Sequence, residues 1–296
     1  QKIPFDEILV YNDCSTDETT KIAISYGARV LEGHVNKGCS FGKNRLIESA
    51  KSDYIHFHDA DDELLPNFTT LAHKWLSNSE LADVILFDYQ YIDDKTKQVL
   101  GVSNFNDSEL ISDPIRYTIN NQINPFCGLY NKKKLIEIGG HDLYPEILYN
   151  EDVAFHCKLA LNNFSFRAEK EVSIINYRIE NSMSRANLMK CIEAQYQVMK
   201  LNREKVGEKY PKDIALKFLT IAKSAAAYCN WPLVRQCISE ADKLIGRHIK
   251  NENSLFSLIY FIHPFLNQEY KIYSIYIRPN INFFLKIITL WGLSEV

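Results

Sequence analysis

Three carboxylates in four residues, Asp59, Asp61 and Asp62, follow directly on the apolar run Tyr54-Ile55-His56-Phe57. That run reads as a buried strand, which puts the carboxylates at its carboxyl end. Like charges so close repel one another unless a cation neutralises them. In an α/β sheet the carboxyl ends of strands face the ligand crevice, so Asp59-Ala60-Asp61-Asp62 is expected at the mouth of one. A Mg2+ or Mn2+ ion there bridges to a diphosphate and neutralises its charge as it leaves. Read alone, the run also suits a solvated acidic turn that caps the helix after Pro66.

The surrounding pattern fits the crevice. Strands are expected at 7–11, 28–31, 54–57, 83–87, 127–130 and 173–178. They alternate with helices at 18–26, 40–51, 64–78, 132–138 and 151–162, the pattern of a layered α/β domain. Residues 88–124 read as strand, loop and strand, then a short helix at 114–120. In the helix over 40–51, Phe41, Leu46, Ile47 and Ala50 form the expected apolar face. From about Leu188 the periodicity becomes helical throughout, as at Ile192, Tyr196 and Met199, or Ile214, Phe218 and Ile221. The expected domains are therefore 1–187, α/β, and 188–296, helical.

Composition removes several alternatives. A net charge of -3, without a block of Lys or Arg, gives no footprint for nucleic acid. Seven scattered cysteines without a CxxC argue against a zinc site or disulfide framework, and predict buried thiols in a reducing cytosol. Residues 1–185 carry an acidic balance and residues 186–296 a basic one. The aromatic, basic stretch 255–293 suits either a helical cap or a peripheral contact with the inner membrane face. The apolar stretches near the end are broken by His263, Pro264 and Lys286, so none is long enough to cross a bilayer as a helix.

Three further motifs carry chemistry. Asn12-Asp13-Cys14-Ser15-Thr16-Asp17 follows a strand; Asp13 there can accept hydrogen bonds from a base or ribose, and the run also reads as a capped helix start. Lys43-Asn44-Arg45 offers basic groups to a phosphate or base, or forms a solvated helix face. Glu151-Asp152 opens a helix, where the dipole favours negative charge; one of the two can also take a proton from a hydroxyl.

In order and spacing these motifs resemble glycosyltransferase family 2, whose members read D-D-G-S-T-D, G-x-S-x-A-R-N, Y-I-x-F-L-D-A-D-D and, later, E-D. The resemblance covers about residues 5–185. It implies a GT-A fold, a Rossmann-like mixed sheet flanked by helices, and sugar transfer from a nucleotide-diphosphate sugar, with UDP the expected nucleotide. By the same resemblance Asp13 binds the base, Lys43 and Asn44 help hold the nucleotide, Asp59 contacts the ribose and Asp61 coordinates Mn2+ or Mg2+. Asp152 is the implied general base and Glu151 places the substrates. Displacement is then direct, with inversion. The implied acceptor is a glycan or lipid-linked sugar in surface polysaccharide or glycolipid synthesis.

The departures matter too. Asn12 replaces the first Asp of the D-D-G-S pattern, Cys14 replaces its Gly, and Lys43 stands where Arg is usual. The stretch 177–184 lacks the His that often helps bind metal or diphosphate. The strand and helix that open family members before D-D-G-S are missing, so an N-terminally truncated chain is expected. The competing readings are a non-catalytic relative that binds nucleotide sugar without turnover, and a nucleotidyltransferase. The latter needs a Gly-rich, basic first loop that this sequence lacks.

Overall fold

The computed structural model describes residues 1–78, 81–179 and 186–245. Strand β5 (Val84–Asp93) is the spine of the first compact unit, 1–198. Val84, Ile85, Leu86 and Phe87 are each 0% exposed, so this strand is covered on both faces. Along one edge β5 pairs in parallel with β8 (Phe166–Arg178). Along the other it pairs antiparallel with β7 (Gly128–Asn131) near its start and with β6 (Val99–Val102) near its end. β3 (Tyr54–His56) adds to β7, and the two-residue β4 (Glu63–Leu64) adds to β8. The result is a six-stranded mixed sheet.

β1 (Leu9–Asn12) and β2 (Arg29–Glu32) form a separate parallel pair, connected through α1 (Thr19–Ser25). Helices α2 (Cys39–Ser49), α3 (Phe68–Leu76), α6 (Lys132–Glu137) and α7 (Glu151–Leu161) alternate with the strands. α4 (Asp107–Ser112) and α5 (Pro114–Asn120) lie between β6 and β7. One aromatic core joins the six-stranded sheet to the helices packed on it. Phe68 packs on Phe87 at 4.9 Å between ring centres, and Phe57 on Tyr130 at 5.5 Å.

β5 and β8 both run longer than the sequence periodicity indicates. Their register shifts between Phe87 and Tyr89, where β8 supplies extra residues. Asp88 lies in that irregularity, which breaks the apolar pattern. It is only 3% exposed, and it pairs with Lys170 at 2.9 Å and accepts the Phe105 N–H at 2.9 Å. A polar residue compensated this way is invisible to a reading that requires alternating apolar positions.

Helix α2 also corrects an expectation. Of the expected apolar face only Ile47 is fully buried; Phe41, Leu46 and Ala50 are half-buried, and Ser40, Gly42 and Lys43 are buried beside Ile47. The inward face is mostly polar because it borders the site described below. The cysteines correct another: Cys127, Cys157 and Cys237 are buried, but Cys14, Cys39 and Cys229 are exposed, and all seven are free.

α8 (Leu188–Val206) begins close to the expected start of the helical region, but the chain divides after Val198, inside this helix. The first turns of α8 lie beside α7: Lys190 sits 5.5 Å from the Tyr149 ring centre, and Cys191 feels the charge of Glu151. In the second unit, α9 (Pro211–Ala227) packs on α10 (Trp231–Ile245), burying Ile214, Phe218, Cys237 and Ala241 fully. Arg203 and Lys243 neutralise the buried Glu240. The stretch 255–293, read above for membrane contact, lies outside the described residues, as do 180–185. Among the described residues no helix is long and apolar enough to cross a membrane.

Replacing Phe87 by Ala removes a fully buried ring from the central strand. The expected loss is about 3–5 kcal/mol, measured as a lower urea midpoint of the first unit's unfolding transition.

Candidate active site

The acidic turn after β3 does not gather all three of its carboxylates. Asp62 turns toward β8 and accepts two hydrogen bonds from Asn176 Nδ2, at 2.8 and 3.0 Å, and one from the Tyr177 N–H at 3.1 Å. Its own N–H donates to the Asp59 carbonyl at 3.1 Å, which closes the turn. Burial pushes the Asp62 carboxyl up to about 6, against the pull of these donors. Asp62 therefore anchors the turn and relieves part of the repulsion the sequence posed. Asp59 is half-buried and Asp61 exposed. Among the described residues no group of three or more acidic, His or Cys side chains is gathered closely enough to enclose a metal ion.

α2 supplies the opposing charge. The Lys43 side chain is 10% exposed and its Nζ lies 4.0 Å from Asp152 Oδ1. The Cys39 thiol, one turn earlier, is hydrogen-bonded to the same ammonium, and Asp59 is near enough to act on it. Burial alone would lower the Lys43 pKa, but Asp152, Cys39 and Asp59 together hold it above the ordinary lysine value. The structure thus brings Lys43, Asp59, Glu151 and Asp152 to one place, from segments far apart in the chain.

Asp152 is in the first turn of α7, and its side chain is 31% exposed. Burial raises its carboxyl to about 7; Lys43 opposes the rise, while Glu151 and Asp59 add to it. Glu151 is also raised, first by burial and then by Asp59. It accepts the Tyr149 N–H at 2.9 Å, and Tyr149 has a φ of 83°, a left-handed conformation that costs a non-glycine residue energy. Below Asp152, His156 Nδ1 faces the Asp152 carbonyl at 2.8 Å. A carbonyl only accepts, so Nδ1 carries the proton; the single proton of the Tyr130 hydroxyl is shared between His156 Nε2, 2.9 Å away, and the Pro125 carbonyl, 3.1 Å away. This buried chain fixes the start of α7.

Asn44, expected beside the nucleotide, instead spends both ends of its amide on a backbone. Its Oδ1 accepts the His141 N–H at 2.7 Å and its Nδ2 donates to the His141 carbonyl at 2.9 Å. The His141 ring stacks on Phe155 of α7 at 3.8 Å, with 5° between planes. Asn44 thereby ties α2 to the segment leading into α7. Gly140 makes the clasp possible: its φ is +63°, and an added Cβ would come within 2.2 Å of Asn44 Oδ1.

Asp13 has a comparable local task. Its two carboxylate oxygens accept the N–H groups of Lys37, at 2.9 Å, and Gly38, at 2.7 Å, immediately before α2. Asn12 holds the same loop through Thr20, Glu32 and the Ser15 N–H. Asp13 is thus at the helix start that carries Cys39 and Lys43. His141, His156, Tyr130 and Cys39 escaped the sequence reading, since each is an isolated residue without a motif of its own.

Residues 1–139 match the family model described as glycosyl transferase family 2. The first unit carries a glycosyl transferase family 2 domain. The match ends before Glu151 and Asp152, whose placement in the site rests on the geometry above. Uncharacterized glycosyltransferases of Rickettsia typhi and Rickettsia prowazekii are 35% and 36% identical over 98 residues, which is 32% of this chain and 31% of each relative. The uncharacterized glycosyltransferase YibD of Escherichia coli is 43% identical over 65 residues, 20% of this chain and 19% of its own. The chain thus spans less than a third of each of these curated relatives. Crystal structures of S. aureus TarS share the fold. The 1–349 form, in complex with UDP-GlcNAc, has a TM-score of 0.51 at 19% identity, covering 86% of this chain and 72% of that one. A second TarS structure gives 0.50 at 18% identity, covering 88% of this chain and 43% of that one. The family 2 domain is a GT-A mixed sheet flanked by helices, followed by a helical region.

Two outcomes follow from this geometry. Any turnover that needs ionised Asp152 rises with pH through about 7 and levels off above it, read as the acid limb of a rate–pH profile. Gly140→Ala breaks the Asn44–His141 clasp and lowers stability by about 1–3 kcal/mol, measured by thermal or chemical unfolding.

Proposed function

We propose that this chain is a metal-dependent inverting glycosyltransferase that moves a hexosyl or N-acetylhexosaminyl group from a UDP-sugar to a hydroxyl acceptor. One observation carries the reading: Asp152, ionising at about 7, stands at the start of α7 among Lys43, Asp59 and Glu151. A carboxylate tuned to neutrality suits a general base that takes the acceptor's proton as its oxygen attacks the anomeric carbon. Direct displacement by that oxygen inverts the centre. Glu151, buttressed by the Tyr149 N–H, borders the acceptor side. Asp59 and Asp13 serve the ribose and base.

A divalent ion fits the turn after β3. Mg2+ and Mn2+ sites use one or two carboxylates and complete their shell with phosphate oxygens and water. Exposed Asp61 offers such a hard oxygen donor, while Asp62 is committed to Asn176 and the Tyr177 N–H. The ion, held by Asp61, would supply charge neutralisation of the leaving diphosphate. The acceptor we assign is a glycan or lipid-linked sugar for surface polysaccharide or glycolipid synthesis, reached at the cytoplasmic membrane face.

TarS was solved with UDP-GlcNAc, so that donor is the first to test, with MnCl2 and a panel of other UDP-sugars. UDP release is expected, with Asp61→Asn and Asp152→Asn each reducing it about 10²-fold or more and EDTA abolishing it. The second reading, a relative that binds nucleotide sugar without turnover, is favoured by Asn12 in place of the family's Asp. Calorimetric binding of the UDP-sugars with no UDP release would establish it. Undiminished release in both variants would remove the roles given to Asp61 and Asp152.

A further inference from the structure

We propose that Lys43 is a positioning residue: from α2 it holds the Asp152 carboxylate in place as its counter-ion and takes no part in gripping the nucleotide. The inference rests on the reading of Asp152 as the base, and departs from the nucleotide-holding role that the family resemblance gives Lys43. Three observations carry it.

The first is proximity. The Lys43 side chain is 10% exposed, and its ammonium has the Asp152 carboxylate at 4.0 Å, with the Cys39 thiol and Asp59 near enough to act on it. Drawing it away would leave a part-buried carboxylate without its counter-ion, the costly half of any buried ion pair.

The second is mechanical. The Asn44–His141 clasp, one residue from Lys43, and the His141–Phe155 stack join α2 to α7 in one rigid path. The backbone that carries Lys43 is thereby fixed relative to the backbone that carries Asp152.

The third is electrostatic. Asp152 faces Lys43 and Cys39 from α2, Asp59 from the turn after β3, Cys127 and Tyr130 from the β7 strand and its approach, and Glu151 and His156 from its own helix. Burial keeps the Cys127 thiol and the Tyr130 phenol protonated, and keeps His156 neutral, with a value of about 4. His141 is neutral as well, held well below the usual imidazole range by burial and by Lys43 itself. Among the described residues of this group Lys43 is therefore the one cation facing Asp152, set against the two carboxylates Asp59 and Glu151.

The test uses the full chain with 13C-labelled aspartate. In Lys43→Met the Asp152 titration, followed by NMR, is expected to move upward by about one pH unit or more, and Lys43→Arg is expected to return it toward wild type. Binding of UDP with MnCl2, measured by calorimetry, is expected to change less than about twofold in Lys43→Met, a difference below RT ln 10. Should Lys43→Met fail to fold, the reciprocal titration decides: the 13Cε-labelled Lys43 value is expected to fall in Asp152→Asn. An unmoved titration, or a loss of UDP affinity of about tenfold or more, would overturn the proposal. The glycosyltransferase reading fails separately, if UDP does not bind the wild type or Asp152→Asn retains full turnover; the titrations still decide whether Lys43 holds Asp152.

Discussion

The unit that carries the site depends on β5 being dry. Four consecutive residues, Val84 to Phe87, have no contact with solvent, and every other strand of the six-stranded sheet is placed by pairing with β5 or with one of its neighbours. A strand covered on both faces must hand its polar obligations to its ends. At the start of β5, Asp83 does this: its carboxylate takes the Lys134 ammonium, the Ser165 N–H and the Ser165 hydroxyl. In mid-strand Asp88 does the same with Lys170 and Phe105. The strands so ordered bring the carboxyl end of β3 beside the first turn of α7, with α2 leaning in between.

Within this frame the chemistry is a matter of charge held out of water. Asp62 is neutralised by hydrogen bonds from β8, Asp13 by the backbone ahead of α2, and Asp152 by Lys43. Of the acidic residues named by pattern, Asp61 stays exposed. Asp62 thus braces the turn, and Asp61 is left free for a ligand.

Much of this was legible in the sequence. The helices at Pro114–Asn120 and Lys132–Glu137 and the strand around Cys127 carry period and end signals that survive in the fold, with a proline at the first position of one and Gly139-Gly140 after the other. The lengths of β5 and β8 were not legible, because each passes through polar residues whose partners lie far away in the chain. The inward face of α2 was misread for the same reason: Ser40 and Lys43 are buried against charges supplied by other segments. Single residues such as His141 and Tyr149 have no pattern at all; their roles exist only once α2 and α7 are side by side.

The imidazoles and the site's carboxyls also have a shared thermodynamic effect. Burial holds His56 at about 3 and His156 at about 4, with His141 also far below its ordinary value. Below pH 6.5 the unfolded chain takes up protons at these positions and the folded one does not, which favours unfolding as acid is added. Asp62, at about 6, and Asp152, at about 7, behave oppositely, as does the raised Glu151. Between roughly pH 4.5 and 6 the folded chain keeps protons at Asp62 and Asp152 that the unfolded chain has released, so acid favours folding there. These carboxyls thus offset part of what the buried imidazoles cost. A site able to shift its own ionisation near neutrality in this way softens the acid sensitivity that the imidazoles impose on the domain.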